Sequence, residues 1–216
     1  MSELVPTSRL FAERLDREDD LAGFRDEFVV DDDSLCYLDG NSLGRLPRAT
    51  IEVVNSYLTN EWGAQLVDGW NDWIDEAQST GDLIGRAALG AGPGQVLAVD
   101  TTSVNFYQLC HAAVRARPTR RKVITDRANF PTDRYILEGL CDDLDLDLVY
   151  IDDESGEEFV TPEALAEVVD DDTALVTLSV IQYRSGALHR IPELTSIARD
   201  RKSTRLNSSH VKRSRM

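Results

Sequence analysis

Lysine is almost absent. Only Lys122, Lys202 and Lys212 occur in 216 residues, so any chemistry that needs a reactive amine has three candidates. Basic side chains are scarce overall: 23 Lys and Arg face 39 Asp and Glu, a formal charge of −16. That surplus opposes binding to the phosphate backbone of nucleic acid, because counterion release needs clustered cations. Cysteine is equally sparse. Cys36, Cys110 and Cys141 show neither paired nor metal-ligand spacing, which suits reduced thiols in a cytoplasm and excludes a disulfide scaffold. No stretch of about 18 apolar residues exists that could cross a membrane. The start, Met1-Ser2-Glu3-Leu4-Val5-Pro6, has no basic, apolar leader. Runs such as Asp31-Asp32-Asp33 and Asp170-Asp171-Asp172 read as solvated loops, since no converging ligands accompany them to make a metal site.

What is present fits a globular chain: 42% hydrophobic residues over a length that gives one domain or one and a fraction. The last segment differs. Residues 200–216 are basic, polar and without apolar periodicity, and Asp200 to His210 is one reading frame of a common sequencing adapter. They are expected to be an assembly scar, with the natural sequence running on past about Arg199.

The spacing of Leu10, Phe11, Leu15, Leu21 and Phe24 predicts a helical arm over residues 8–30. A short strand is expected at Cys36–Leu38, running into a turn punctuated by Gly40 and Gly44. Helices follow over about 47–62 and 76–90. From Val96 onward strands and helices alternate: strands at 96–99, 122–125, 144–151 and 174–179, helices at 102–115, 131–140, from Thr161-Pro162, and from Pro192. The fold class is therefore α/β, a mostly parallel sheet with helices on both faces, incomplete and preceded by a helical N-terminal arm. The expected division is residues 1–95, 96–199 and the tail 200–216.

Two strand-to-helix junctions carry the chemistry. At Asp100-Thr101-Thr102-Ser103 a strand hands over to a helix whose free N–H groups and hydroxyls suit a phosphate, although N-capping alone also explains such residues. At Asn129-Phe130-Pro131-Thr132-Asp133, Pro131 opens a helix and leaves Phe130 outside it, where an aromatic can stack on a flat heterocycle or plug the core. Asp133 and Thr132 suit the helix dipole without any ligand. Ser179 ends a strand and caps the following loop. Trp62, Trp70 and Trp73 read as core or interface residues. His111 and His189 read as packed or solvated rather than as general bases, and Arg184 lies in a loop that could meet a carboxylate.

Tyr37-Leu38-Asp39-Gly40-Asn41-Ser42-Leu43-Gly44, Glu61-Trp62-Gly63 with Trp70-Asn71, Asp100 to Asn105, and Asn129 to Asp133 stand in the order and spacing of kynureninases. Over residues 8–199 the chain resembles that family. The resemblance implies fold type I of the pyridoxal-phosphate enzymes, the aspartate aminotransferase architecture, working as a homodimer. It implies that Thr102 and Ser103 hold the cofactor phosphate, that Phe130 stacks on the pyridine ring, and that Pro131, Thr132, Asp133 and Ser179 line the same site. Asn41 and Ser42 match the turn near the substrate, and Trp70 a position on its aniline ring. The implied reaction is hydrolysis of L-kynurenine, or its 3-hydroxy form, to the corresponding anthranilate and alanine, serving tryptophan breakdown or nicotinamide-cofactor synthesis. The family's pyridine-nitrogen acid lies on the strand after Arg199 and its Schiff-base lysine roughly two strands further on. Lys122 does not match it, so no catalytic residue is assigned and the chain alone is expected to be inactive. Two other readings stand beside this one. A cysteine desulfurase or class V aminotransferase shares the cofactor loops but lacks the Gly40-Asn41-Ser42-Leu43-Gly44 and tryptophan pattern. A non-catalytic binding fragment is the other.

Overall fold

The computed structural model describes residues 6–152, 159–200 and 204–207. Lys202 and Lys212 lie outside them. Two compact units emerge, Met1–Asp75 and Glu76–Met216.

The first unit is helical. α1 (Arg9–Glu18) starts at Ser8, whose hydroxyl accepts from the Phe11 N–H, and a 3-10 turn follows at Ala22–Glu27. α2 (Arg48–Ser56) widens into a π turn at Tyr57–Trp62 and continues as α3 (Gly63–Gln65); a 3-10 turn at Leu66–Gly69 leads into α4 (Trp70–Trp73). The expected strand at Cys36–Leu38 does not form. A strand needs a neighbour, and among the described residues of this unit the one bridge joins Phe28 to Pro47. Among the described residues of this unit Gly69 alone is buried, packed against the Trp73 ring so closely that a Cβ would collide with it.

The second unit holds the sheet. α5 (Glu76–Ile84) runs into a π turn at Gly85–Leu89 that stops at Gly90, whose φ of +61° favours glycine. The strand expected at Val96–Val99 does not form. The segment is tied to α5 instead: the Ala98 N–H donates to the Ala77 carbonyl at 3.0 Å and Gln78 Nε2 to the Val96 carbonyl at 3.0 Å. α6 (Thr102–Arg115), β1 (Lys122–Asp126), α7 (Pro131–Leu144), β2 (Asp147–Ile151), α8 (Pro162–Val168), β3 (Thr173–Leu178) and α9 (Ile191–Asp200) then alternate as expected. Asp145, with φ +53°, ends α7, and Thr161 caps α8 ahead of Pro162.

The sheet order is β2-β1-β3-β4, every pair parallel, with Lys122 opposite both Asp147 and Thr173. β4 (Thr204–Asn207) belongs to the tail read as a scar; it runs beside β3, Leu175 opposite Thr204. An unpaired β3 edge is a template for any adjacent chain, and β4 takes it. α6 and α7 cover one face through Phe106, Cys110, Val114, Leu137 and Leu140 against Val123 and Leu175. α8 and α9 cover the other through Leu165, Leu194 and Ala198 against Ile124 and Val176. Each large apolar side chain so buried contributes roughly 1.5–3 kcal/mol. Burial pushes the Cys110 thiol up to about 12, with Asp133 and Cys141 adding to the effect, and pushes Cys141 up to about 11. Both are inert packing groups.

Candidate functional site

Strand direction decides where chemistry can gather. α6 leads through a short turn into the start of β1, so its C-terminus lies at the rim where the strands begin. α7 starts just after β1 ends and finishes where Arg121, ahead of β1, bonds Asp145. Both helices therefore run against the strands, and both begin at the rim where β1 and β3 end. That rim is where open α/β sheets hold ligands.

Thr101, not Thr102, is the N-cap of α6: its hydroxyl accepts from the Val104 N–H at 3.3 Å. Thr102 and Ser103 occupy the first helical turn, exposed, and helix geometry leaves their N–H groups without intrahelical partners. Asp100 enters this turn with φ +49°. Across the rim Phe130 precedes Pro131 at the mouth of α7, 47% exposed, and meets Tyr183 edge-on with ring centroids 5.1 Å apart. Phe130 is thus half exposed rather than plugging the core. Pro131 and Thr132 are half-buried, and Asp133 is buried in the first turn of α7.

Ser179 follows β3 directly. Its hydroxyl donates to Asn129 Oδ1 at 2.9 Å, the oxygen that also accepts the Phe130 N–H at 2.8 Å, while Asn129 Nδ2 donates to Thr125 Oγ1 at 3.1 Å. One buried amide thereby fixes Phe130 and Ser179 together. Behind it lie Asp126, Gln182 and His189, all buried. Gln182 Nε2 donates to Asp126 Oδ1 at 2.8 Å. The Val160 N–H donates to His189 Nε2 at 2.8 Å, so the ring proton sits on Nδ1 and faces the Ser179 carbonyl at 2.7 Å. Burial holds the His189 pKa below its ordinary value, outweighing the Ser179 carbonyl and Asp126. His189 is a packed, neutral histidine. Asp126 and Gln182 carry no signal of their own in the sequence beyond an acid ending an apolar strand beside the Asn129–Asp133 motif.

Asn41, Ser42 and Trp70 belong to the first unit. Ser42 bonds back to Asp39 through its hydroxyl at 2.8 Å, and Asn41 is exposed on the same turn. Trp70 is 62% exposed, 6.4 Å from the Trp73 ring. Arg184 is exposed in the loop after β3. Lys122 lies at the opposite end of β1 from Phe130, paired with Asp170 and donating to the Val168 carbonyl at 3.3 Å. Among the described residues no group of three or more His, Cys, Asp or Glu is placed to hold a metal ion, and no helix is long and apolar enough to cross a membrane.

This arrangement, a parallel sheet with two helix mouths and a strand-end serine at one rim, is the pyridoxal-phosphate-dependent transferase-like fold. Solved structures share it. The cysteine desulfurase CsdA from Escherichia coli superimposes with TM-score 0.65 at 13% identity, over 88% of this chain and 48% of that one. An apo cysteine desulfurase from Thermococcus onnurineus NA1 gives 0.63 at 16% identity, over 86% and 44%. A C-DES mutant with the same architecture, TM-score 0.58 at 14% identity over 77% of this chain and 44% of that one, carries glycine covalently linked to its PLP cofactor. No family model matches the chain. By sequence its curated relatives are kynureninases: 36% identity over 194 residues with the Pseudomonas fluorescens kynureninase, and 37% over 193 with that of Burkholderia pseudomallei. Each match covers 86% of this chain and 44% of the relative, so the chain spans less than half the length of the kynureninases it matches.

Proposed function

We propose that this chain is the front portion of a pyridoxal-phosphate-dependent hydrolase that cleaves L-kynurenine, or its 3-hydroxy form, to the corresponding anthranilate and alanine. The observation that carries the reading is the 36% identity to a kynureninase across 194 residues. The reading is supported by the starts of α6 and α7, which both lie at the rim where β1 and β3 end. The residues present fit the cofactor. The first turn of α6 offers two exposed hydroxyls and two N–H groups to a phosphate, and Phe130 offers a half-exposed aromatic ring to a flat heterocycle. Pro131, Thr132 and Asp133 complete the mouth of α7, while Ser179 holds its place through Asn129. When bound, the cofactor supplies an electron sink for breaking a bond beside the amino-acid carbon. Asn41, Ser42 and Trp70 are assigned to the substrate, Trp70 through ring contact with its aniline.

Residues 1–95 serve as arm and helical segment, and residues 96–199 as the first half of the cofactor domain. Residues 200–216 are assigned to a sequencing adapter. The whole enzyme works as a cytoplasmic homodimer in tryptophan breakdown or nicotinamide-cofactor synthesis. The chain alone is expected to be inactive, and the pairing of Lys122 with Asp170, away from Phe130, supports that reading.

The test begins with resequencing across the codon for Arg199, expected to run on into an acid-bearing strand and then a lysine. The complete gene product, given kynurenine, is expected to release fluorescent anthranilate. Silence with kynurenine and turnover of cysteine would transfer the reading to a desulfurase.

A further inference from the structure

Behind the Phe130–Ser179 rim lies a buried polar pair that the proposed reaction does not use. Asp126 ends β1 and is 2% exposed; Gln182, in the turn after β3, is 1% exposed. One hydrogen bond joins them, Gln182 Nε2 to Asp126 Oδ1 at 2.8 Å. The other two oxygens of the same pair, Asp126 Oδ2 and Gln182 Oε1, are both buried without a hydrogen-bond partner. Two acceptors left bare on one pair of planar groups is costly, and a single proton placed between them removes both deficits.

We propose that Asp126 is a neutral carboxylic acid whose Oδ2–H donates to Gln182 Oε1, closing a two-point acid–carboxamide clasp that positions Phe130 and Ser179. The clasp joins the turn after β1 to the turn after β3, and those turns carry Asn129 and Phe130 on one side and Ser179 and Tyr183 on the other. The titratable group facing Asp126 is His189, and its ring is neutral because Nε2 accepts the Val160 N–H. Arg127, next in the chain, is exposed and paired with Asp152 over the Tyr150 ring. Among the described residues the titratable group that acts on Asp126 is His189, not an arginine or lysine. Burial raises its pKa above the ordinary carboxylate value, against weaker opposing contributions from Gln182, His189 and the backbone N–H groups of Asp126 and Ala128.

The sign of the pH dependence follows. A pKa raised in the folded state gives stability that is complete below the unfolded value and lost as pH rises through the folded one. Between the two values the folding equilibrium of the chain falls by up to about tenfold per pH unit on account of this group. Asp126→Asn carries an N–H2 where the acid has its O–H, so it preserves both bonds at every pH. The experiment follows the Asp126 Cγ shift by carbon NMR through a pH titration of the chain, together with urea unfolding of wild type, Asp126→Asn and Gln182→Met. Expected are an Asp126 midpoint above the ordinary carboxylate range, and an Asp126→Asn advantage over wild type that grows with pH. Gln182→Met is expected to perturb the Phe130 and Ser179 amide signals while leaving the Asp126 midpoint above the ordinary carboxylate range, since burial is the main cause of its rise. An Asp126 midpoint in the ordinary range, or an Asp126→Asn loss equal to that of Gln182→Met at neutral pH, would overturn the clasp. The carbon titration needs no variant to fold, and none of these readouts depends on kynurenine or on any cofactor.

Discussion

Lys122 enters β1 at the rim where Asp170 and the Val168 carbonyl lie, and its ammonium is held by both. A lysine that acts as a nucleophile needs desolvation or a neighbouring cation to free its lone pair, whereas here a carboxylate stabilises the charge. The Asp170 pKa is lowered first by its bond to Lys122, then by Thr173 and the Asp172 N–H, against desolvation. A depressed carboxylate contributes stability above its unfolded value and loses it as pH falls through the folded one. Lys122→Met is therefore expected to cost about 0–1 kcal/mol at neutral pH, the range for a pair this exposed, and the gap should close in acid. Urea midpoints of both proteins at neutral and acid pH check this. A large loss that persists in acid would mean that Lys122 matters through something other than Asp170. The residues of the opposite rim were unevenly legible. Thr102, Ser103 and Phe130 stood out because a helix start with hydroxyls or with an aromatic-proline pair has a local signature. Asp126 and Gln182 did not, because 56 residues separate them and a contact at that distance leaves no spacing to read.

At the scale of elements, β1, β2 and β3 were readable because each apolar run sits between a helix end and a helix start, and buried parallel strands need no alternation. Cys36–Leu38 and Val96–Val99 look the same locally yet do not form strands. A strand is a relation between two segments, and only the partner decides it. Val96–Val99 finds α5 as its neighbour, and the contact depends on Gly81: a Cβ there would land on the Val96 carbonyl oxygen and press on the Leu97 Cα. Both are backbone atoms and cannot swing aside. In an isolated helix Gly81→Ala would gain about 1 kcal/mol in propensity. Here overpacking, at about 1–3 kcal/mol, is expected to win. Urea unfolding should show a lower midpoint for Gly81→Ala, and the Ala98 amide, which donates to Ala77, should exchange faster with solvent. A higher midpoint would show that the segment moves off α5 without cost.

The two units differ in what they bury. Glu76–Met216 contains both apolar clusters, one on each face of the sheet. In Met1–Asp75 the helices α1 to α4 bury no side chain among the described residues, and Leu21, Phe24, Leu38, Leu43, Val67 and Trp70 are all more than half exposed. A helical segment of this kind holds its shape through capping and local pairs such as Arg9–Glu13, each worth a few tenths of a kcal/mol. Helices that short are marginal in water without tertiary burial. Local opening therefore costs little in the first unit and approaches the full unfolding free energy in the second. Brief digestion with a protease of broad specificity should cut the chain first between residues 9 and 75, leaving a core that begins near Glu76 and retains β1, β2 and β3. Mass spectrometry of the time course reads this directly. The apolar side chains of the first unit form the kind of surface that proteins cover in an assembly. Resistance of residues 9–75 in the isolated chain, at a rate matching the sheet, would show that the unit already buries its apolar face.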